Sequence, residues 1–134
     1  MDALTPAMPA ARERLPFTAD TLTVVIPVLN EERGLDPLLA RLTPVLEASG
    51  LAWSILFIDD GSTDGTIARI RDLHRQDARI KSVSLSRNFG KEIAVAAGLR
   101  HASGDGVVIM DGDLQHPPET IGRFVALWDQ GYDI

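Results

Sequence analysis

From Thr21 onward, short β-branched runs alternate with polar turns and with longer stretches of helical spacing. The runs are Leu22–Ile26, Ile55–Ile58, Ile80–Leu85 and Val107–Met110. The first, second and fourth are nearly continuous in apolar residues, the pattern of strands covered by helices on both faces of a mostly parallel sheet. Between them, Leu35, Leu38, Leu39, Leu42, Val45 and Leu46 fall on one helical stripe, and Ile67, Ile70, Leu73 and His74 on another. A third, Ala-rich helix is predicted over Glu92–His101. A fourth is predicted after Pro117-Pro118, where proline is tolerated in the first turn. The chain therefore reads as an α/β protein, a mostly parallel sheet flanked by helices and built from four βα units.

Open α/β sheets bind ligands beyond the carboxyl ends of their strands, so the residues that follow each run carry the chemical information. They are Pro27-Val28-Leu29-Asn30-Glu31, then Asp59-Asp60-Gly61-Ser62-Thr63-Asp64-Gly65-Thr66, then Ser86-Arg87-Asn88-Phe89-Gly90-Lys91, and finally Asp111 to His116. All four clusters are polar, and the topology puts them on one rim.

Composition narrows the chemistry. The 134 residues and 45% apolar content suit one domain with one core. A net charge of −6 argues against nucleic acid as a partner, so a polyanionic ligand needs a metal or a few placed cations. With no cysteine, disulfides and thiolate chemistry are excluded and any metal must take oxygen or imidazole ligands. Residues 1–21 read as a flexible lead-in without the apolar core of a signal peptide. No run approaches the ~18 apolar residues of a spanning helix.

Asp111-Gly112-Asp113 sets two carboxylates two residues apart at a strand end, and Gln115 adds a neutral oxygen at the same parity. Magnesium and manganese prefer such hard donors, and a metal held there would offset charge on a departing diphosphate. A D-x-D of this kind also serves as a helix cap, or as the nucleophile motif of a phosphatase-like hydrolase. The latter normally lies on the first strand, with Thr or Val where this chain has Gln115. An EF-hand starting at Asp111 fails, since its sixth and twelfth positions are His116 and Gly122. Asp60 is a candidate acceptor for a nucleobase N–H, whereas Ser62, Thr63 or Asp64 is expected to cap the following helix. Pro27 is expected to end the first strand, Asn30 to cap a helix beginning at Glu31 and Glu32, and Glu31 to take ribose hydroxyls. Arg87 and Lys91, with the backbone amides around Gly90, are candidates for holding phosphate. Neither G-x-G-x-x-G after the first strand nor a P-loop motif is present, which disfavours dinucleotide oxidoreductases and P-loop NTPases.

Taken in order, Val25–Glu31, Ile58–Thr66, Leu85–Glu92 and Met110–Pro118 closely resemble the motifs of family 2 glycosyltransferases of the GT-A fold. The nearest branch is that of dolichol-phosphate mannose synthases and bactoprenol glucosyltransferases. The resemblance implies a GT-A, Rossmann-like domain over residues 22–134, truncated after the fourth βα unit, whose acceptor part is missing. It implies nucleotide-sugar contacts from Pro27, Leu29, Glu31 and Asp60, with Gly112 close by. Asp113 and Gln115 would ligate Mg2+ or Mn2+, with Asp111 beside the metal or acting on the donor sugar, so that Asp111 and Asp113 are the candidate catalytic residues. The implied reaction is inverting transfer of a hexose from a UDP-sugar or GDP-sugar to a lipid phosphate at the cytoplasmic face of a membrane. Membrane attachment would come only through the missing C-terminal region. An unpaired edge of the sheet is expected to favour homo-oligomers. The competing reading is a nucleotide-binding or assembly module without turnover.

Overall fold

A computed structural model describes residues 21–112 and 117–123. Four strands, β1 (Thr21–Val28), β2 (Ala52–Asp59), β3 (Ile80–Ser84) and β4 (Gly106–Ile109), alternate with helices α1 (Leu35–Ala48), α2 (Thr66–Gln76) and α3 (Lys91–His101). All strand pairs are parallel, and the order across the sheet is β3-β2-β1-β4. The chain steps outward from β1 to β2 and β3, then returns across the sheet to place β4 on the other side of β1. The carboxyl end between β1 and β4 is thus the topological switch point, where connections diverge and leave a crevice.

The apolar runs become strands because each has a helix to bury them. Val24, Ile26 and Val28 of β1 join Ile55 and Phe57 of β2 in one core, closed by Leu35, Leu38, Leu42 and Leu46 of α1 and Ile70 and Leu73 of α2. The alternate residues Val25, Leu56 and Ile58 face the opposite side, under Ala94 of α3. Past Asp111, the segment 117–123 returns to the α1 side, where Ile121 enters the larger core and Glu119 pairs with Arg41 at 2.8 Å. Backbone bonds from Thr120, Ile121 and Gly122 to the carbonyls of residues 117–119 form a helical turn there, where the sequence predicts a fourth helix.

Two expectations are corrected. Pro27 does not end β1, which continues to Val28 with Pro27 opposite Ile58. The Val25 carbonyl accepts from Met110 and the Val28 carbonyl from Asp60, so the odd-numbered backbone groups face β4. The last β1–β4 pair is Val25 with Ile109. The missing Pro27 N–H therefore falls beyond the β4 ladder and costs no pairing. Nor is β4 covered on both faces among the described residues. Val108 packs on the larger core, whereas Val107 and Ile109 are 40% and 44% exposed on the α3 side.

Gly98 determines how closely α3 approaches the sheet. A Cβ at that position would lie 2.4 Å from Val25 Cγ1 and 3.2 Å from Ile58 Cγ1. On an exposed helix, Gly→Ala is worth about 1 kcal/mol in the stabilising direction. Here overpacking reverses the sign, and Gly98→Ala is expected to destabilise by about 1–3 kcal/mol in urea unfolding. A stabilised variant would contradict this packing.

Candidate active site

The loops at the carboxyl end of the sheet satisfy many of one another's polar groups, while Asp64 ties down the start of its own following helix. Asn30 does not cap a helix at Glu31. The first helix starts at Leu35 after Gly34, and Asn30 takes a left-handed conformation (φ 53°) that aims its side chain at the next loop. There Asn30 Oδ1 accepts from the backbone N–H of Thr63 (2.8 Å) and Asp64 (3.3 Å), while its own N–H donates to Ser62 Oγ (2.9 Å). The Glu31 N–H donates to Thr66 Oγ1, and Glu32 Oε1 accepts from the Gly65 N–H at 3.0 Å. Asp64 Oδ1 accepts from the Thr66 amide and hydroxyl, tying down the start of α2 from one residue outside its Gly65 N-cap. The Thr66 hydroxyl holds the Asp64 carboxyl below the usual aspartate range.

A second set of contacts fixes the β3–α3 loop. Gly61, at φ 77°, turns the chain so tightly against that loop that a Cβ would lie 2.3 Å from Arg87 C and 2.4 Å from Asn88 N. Just before it, Asp59 and Asp60 are both buried. Asp59 Oδ1 accepts from the Ser62 N–H, closing its own turn. Asp60 reaches outward: Oδ1 accepts from Phe89 N (2.9 Å) and Oδ2 from Gly90 N (3.1 Å). These amides, expected from the sequence to hold phosphate, are engaged by a carboxylate instead.

Together the loops enclose a cleft of about 320 Å3, within the size range of small-molecule sites, lined by Pro27, Val28, Leu29, Glu31, Asp60, Asn88, Gly90, Lys91, Asp111 and Gly112. Sequence reasoning named most of these residues. It missed Asn88, whose Oδ1 also accepts from the Gly90 N–H; the Asn-x-Gly turn spelling was the available signal. Lys91 opens α3 and forms an ion pair across the cleft with Asp111, whose side chain is 17% exposed. Gly112 presses on the end of β1, where a Cβ would lie 2.9 Å from Val28 Cγ1. Arg87 does not line the cleft; its guanidinium stacks 4.4 Å above the Phe89 ring. Asp113, Gln115 and His116 lie outside the described residues.

The electrostatics of this cleft are lopsided. Three carboxylates, from Glu31, Asp60 and Asp111, face one ammonium, from Lys91, among the lining residues. An anionic ligand entering here needs additional positive charge, and the side-chain donors offered are oxygens, the set that hard divalent cations prefer. Among the described residues no three carboxylate or imidazole side chains converge on one metal position. The D-x-D segment continues into residues beyond those described.

The sequence matches the profile of Glycosyl transferase family 2 over residues 23–134. The chain belongs to that family. Among relatives of this family 2 chain, an uncharacterized glycosyltransferase of Synechocystis is 47% identical over 113 residues, covering 84% of this chain and 36% of the relative. The undecaprenyl-phosphate 4-deoxy-4-formamido-L-arabinose transferase of Salmonella paratyphi B is 45% identical over 114 residues, with 84% and 35% covered. This chain thus spans about a third of the length of the curated relatives it matches. In structure it resembles glucosyl-3-phosphoglycerate synthase from Mycobacterium tuberculosis, solved with Mn2+, UDP-glucose and phosphoglyceric acid. That match has a TM-score of 0.65 and 26% identity, and covers 90% of this chain and 47% of the other. The parallel sheet with flanking helices is accordingly the GT-A-like arrangement.

The Asn30 brace makes a graded prediction for this family 2 fold. Asn30→Gly keeps the left-handed backbone but removes the acceptor, and should cost about 1–2 kcal/mol. Asn30→Ala removes both and should cost about 1 kcal/mol more. Urea unfolding of the two variants checks the order, and equal losses would show that the backbone conformation contributes nothing.

Proposed function

We propose that the chain is the donor-binding part of an inverting glycosyltransferase that moves a hexose from a UDP-sugar or GDP-sugar to a polyprenyl phosphate. The observation that carries this reading is the carboxylate-lined cleft at the switch point between β1 and β4, reached by all three loops described above and by Asp111. Relatives named as undecaprenyl-phosphate transferases support the lipid-phosphate acceptor, and a structural neighbour solved with UDP-glucose and Mn2+ supports the donor and the metal.

In this reading Pro27 and Leu29 supply an apolar wall for the base, and Glu31 accepts hydrogen bonds from ribose hydroxyls. Lys91 turns from Asp111 toward the diphosphate when the donor enters, exchanging one anionic partner for another. Asp111, with Asp113 and Gln115, would hold Mg2+ or Mn2+. The bound cation would stabilise the negative charge that builds on the leaving diphosphate. Gly112, seated so closely on Val28 that a Cβ would lie 2.9 Å from its Cγ1, would bring the backbone next to the donor sugar. An oxygen of the acceptor phosphate attacks the anomeric carbon as the bond to the nucleoside diphosphate breaks, so the electron pair leaves with the diphosphate and the configuration inverts. Lipid attachment belongs to the full-length protein at the cytoplasmic face of a membrane; no helix among the described residues is long and apolar enough to cross one.

Calorimetric titration with UDP-glucose and GDP-mannose, with and without Mn2+, tests the proposal. One donor is expected to bind, and Mn2+ to strengthen it about tenfold or more, equivalent to about 1.4 kcal/mol. Asp113→Ala should abolish the metal enhancement while leaving the thermal midpoint unchanged. Binding that is indifferent to Mn2+, or absent for both donors, would overturn the assignment.

A further inference from the structure

Among the described residues the exposed large hydrophobics are Leu29, Phe89, Ile93, Leu99, Val107 and Ile109, and none of them lies on α1 or α2. Leu29 belongs to the cleft wall, and Val107 and Ile109 are the uncovered α3-side residues of β4. The other three fall in one stretch: Phe89 in the loop before α3, and Ile93 and Leu99 on α3, 50% and 51% exposed. From Ile93 to Leu99 the helix has no polar side chain. Ala94 and Gly98 turn inward to the sheet, while Ile93, Ala96 and Leu99 are exposed. A helix that is apolar on both sides is ordinarily covered on both sides, and an exposed apolar patch marks an interaction surface.

The charge of this stretch indicates the partner. Residues 87–101 carry Arg87, Lys91 and Arg100 against Glu92 alone, in a chain whose net charge is −6. Lys91 is paired with Asp111, but the Arg87 guanidinium lies over the exposed Phe89 ring and Arg100 is exposed in the last turn of α3. Apolar side chains flanked by guanidinium groups suit an anionic lipid surface, where the apolar groups enter the headgroup boundary and the cations meet phosphates. The placement suits it too. Gly90 and Lys91 line the cleft, so one end of this face borders the site, and Gly61, packed against the Arg87–Asn88 peptide, holds the loop to the same frame. We propose that the segment from Arg87 to Arg100 is a docking surface for an anionic bilayer, which brings the mouth of the cleft to the headgroup plane. The surface is read from this face alone; its use, presenting a lipid phosphate to the cleft, rests on the acceptor proposed above. The contact is peripheral and reversible, orienting the domain without anchoring it.

The chain has no cysteine, so one introduced thiol reports one position. Ala96→Cys on α3 and Arg71→Cys, exposed on α2, each carrying an environment-sensitive fluorophore, are titrated with vesicles of phosphatidylcholine alone or with about 30% phosphatidylglycerol. Emission from position 96 should shift to the blue with the anionic vesicles and recover as salt is raised, while position 71 stays unchanged. Vesicle flotation of the unlabelled chain gives the affinity. I93S/L99S should weaken it about tenfold and R87Q/R100Q about twentyfold, whereas E92Q, which removes the acid from the face, should strengthen it about fivefold. All three variants alter exposed side chains and should keep the thermal midpoint of the parent. A shift at position 71, binding indifferent to phosphatidylglycerol, or no binding would overturn the proposal. So would a shift at position 96 that grows with protein concentration without lipid, which would assign the face to a second copy of the chain. Anionic-vesicle binding by a chain that takes up neither UDP-glucose nor GDP-mannose would leave the docking surface standing and sink the donor reading; donor binding without docking would do the reverse.

Discussion

Everything proposed for this chain depends on polar loops whose hydrogen bonds run between neighbours. A helix N-terminus leaves several N–H groups without intrahelical partners, and the simplest remedy is a side chain one residue before the helix. Here Asp64 serves the first amide of α2 locally, and the amides just before α2 and α3 are served by the adjacent βα unit. Asn30 and Glu32 serve the loop before α2, Thr66 serves Glu31, and Asp60 serves the loop before α3. The consequence is mechanical as well as energetic. Three loops that would otherwise move separately are tied to one another over the carboxyl end of β1, and that shared rigidity gives the cleft a defined shape.

Much of the fold was legible in the sequence, because burial leaves a periodic trace. The stripe Leu35, Leu38, Leu39, Leu42, Leu46 is buried as its spacing predicts, and the continuous runs of β1 and β2 are buried on both faces. The cleft was legible for a topological reason: residues that follow parallel strands must share an edge. Partner identity was not legible. Asn30 followed by two glutamates has the spelling of a local cap, and nothing local reveals that its backbone turns left-handed toward Thr63. The amides of Phe89 and Gly90 look open to phosphate until a carboxylate 30 residues earlier is folded against Gly90. Pro27 reads as a strand end because the sequence does not show that β4 stops short of it. These three misses concern contacts between units, where short-range patterns carry no information, whereas Asn88 had a local signal in its Asn-x-Gly turn.

The same reasoning accounts for β4. Its run is as apolar as that of β1, yet its α3-side residues Val107 and Ile109 are exposed among the described residues, as are Ile93 and Leu99 of α3. The chain spans about a third of the length of the curated relatives it matches. The cleft, by contrast, is lined by the loops that follow β1, β2 and β3 together with Asp111 and Gly112 after β4.

The central claim is that these strand-end loops form one metal-dependent site for a sugar nucleotide. Paramagnetic broadening of backbone NMR signals by Mn2+ in the presence of UDP tests it most directly. The account predicts selective loss of signal from residues 29–31, 88–91 and 111–112, with Asp77 and Asp105 at the opposite end of the sheet unaffected. Broadening centred on that opposite end, or none that depends on UDP, would contradict it.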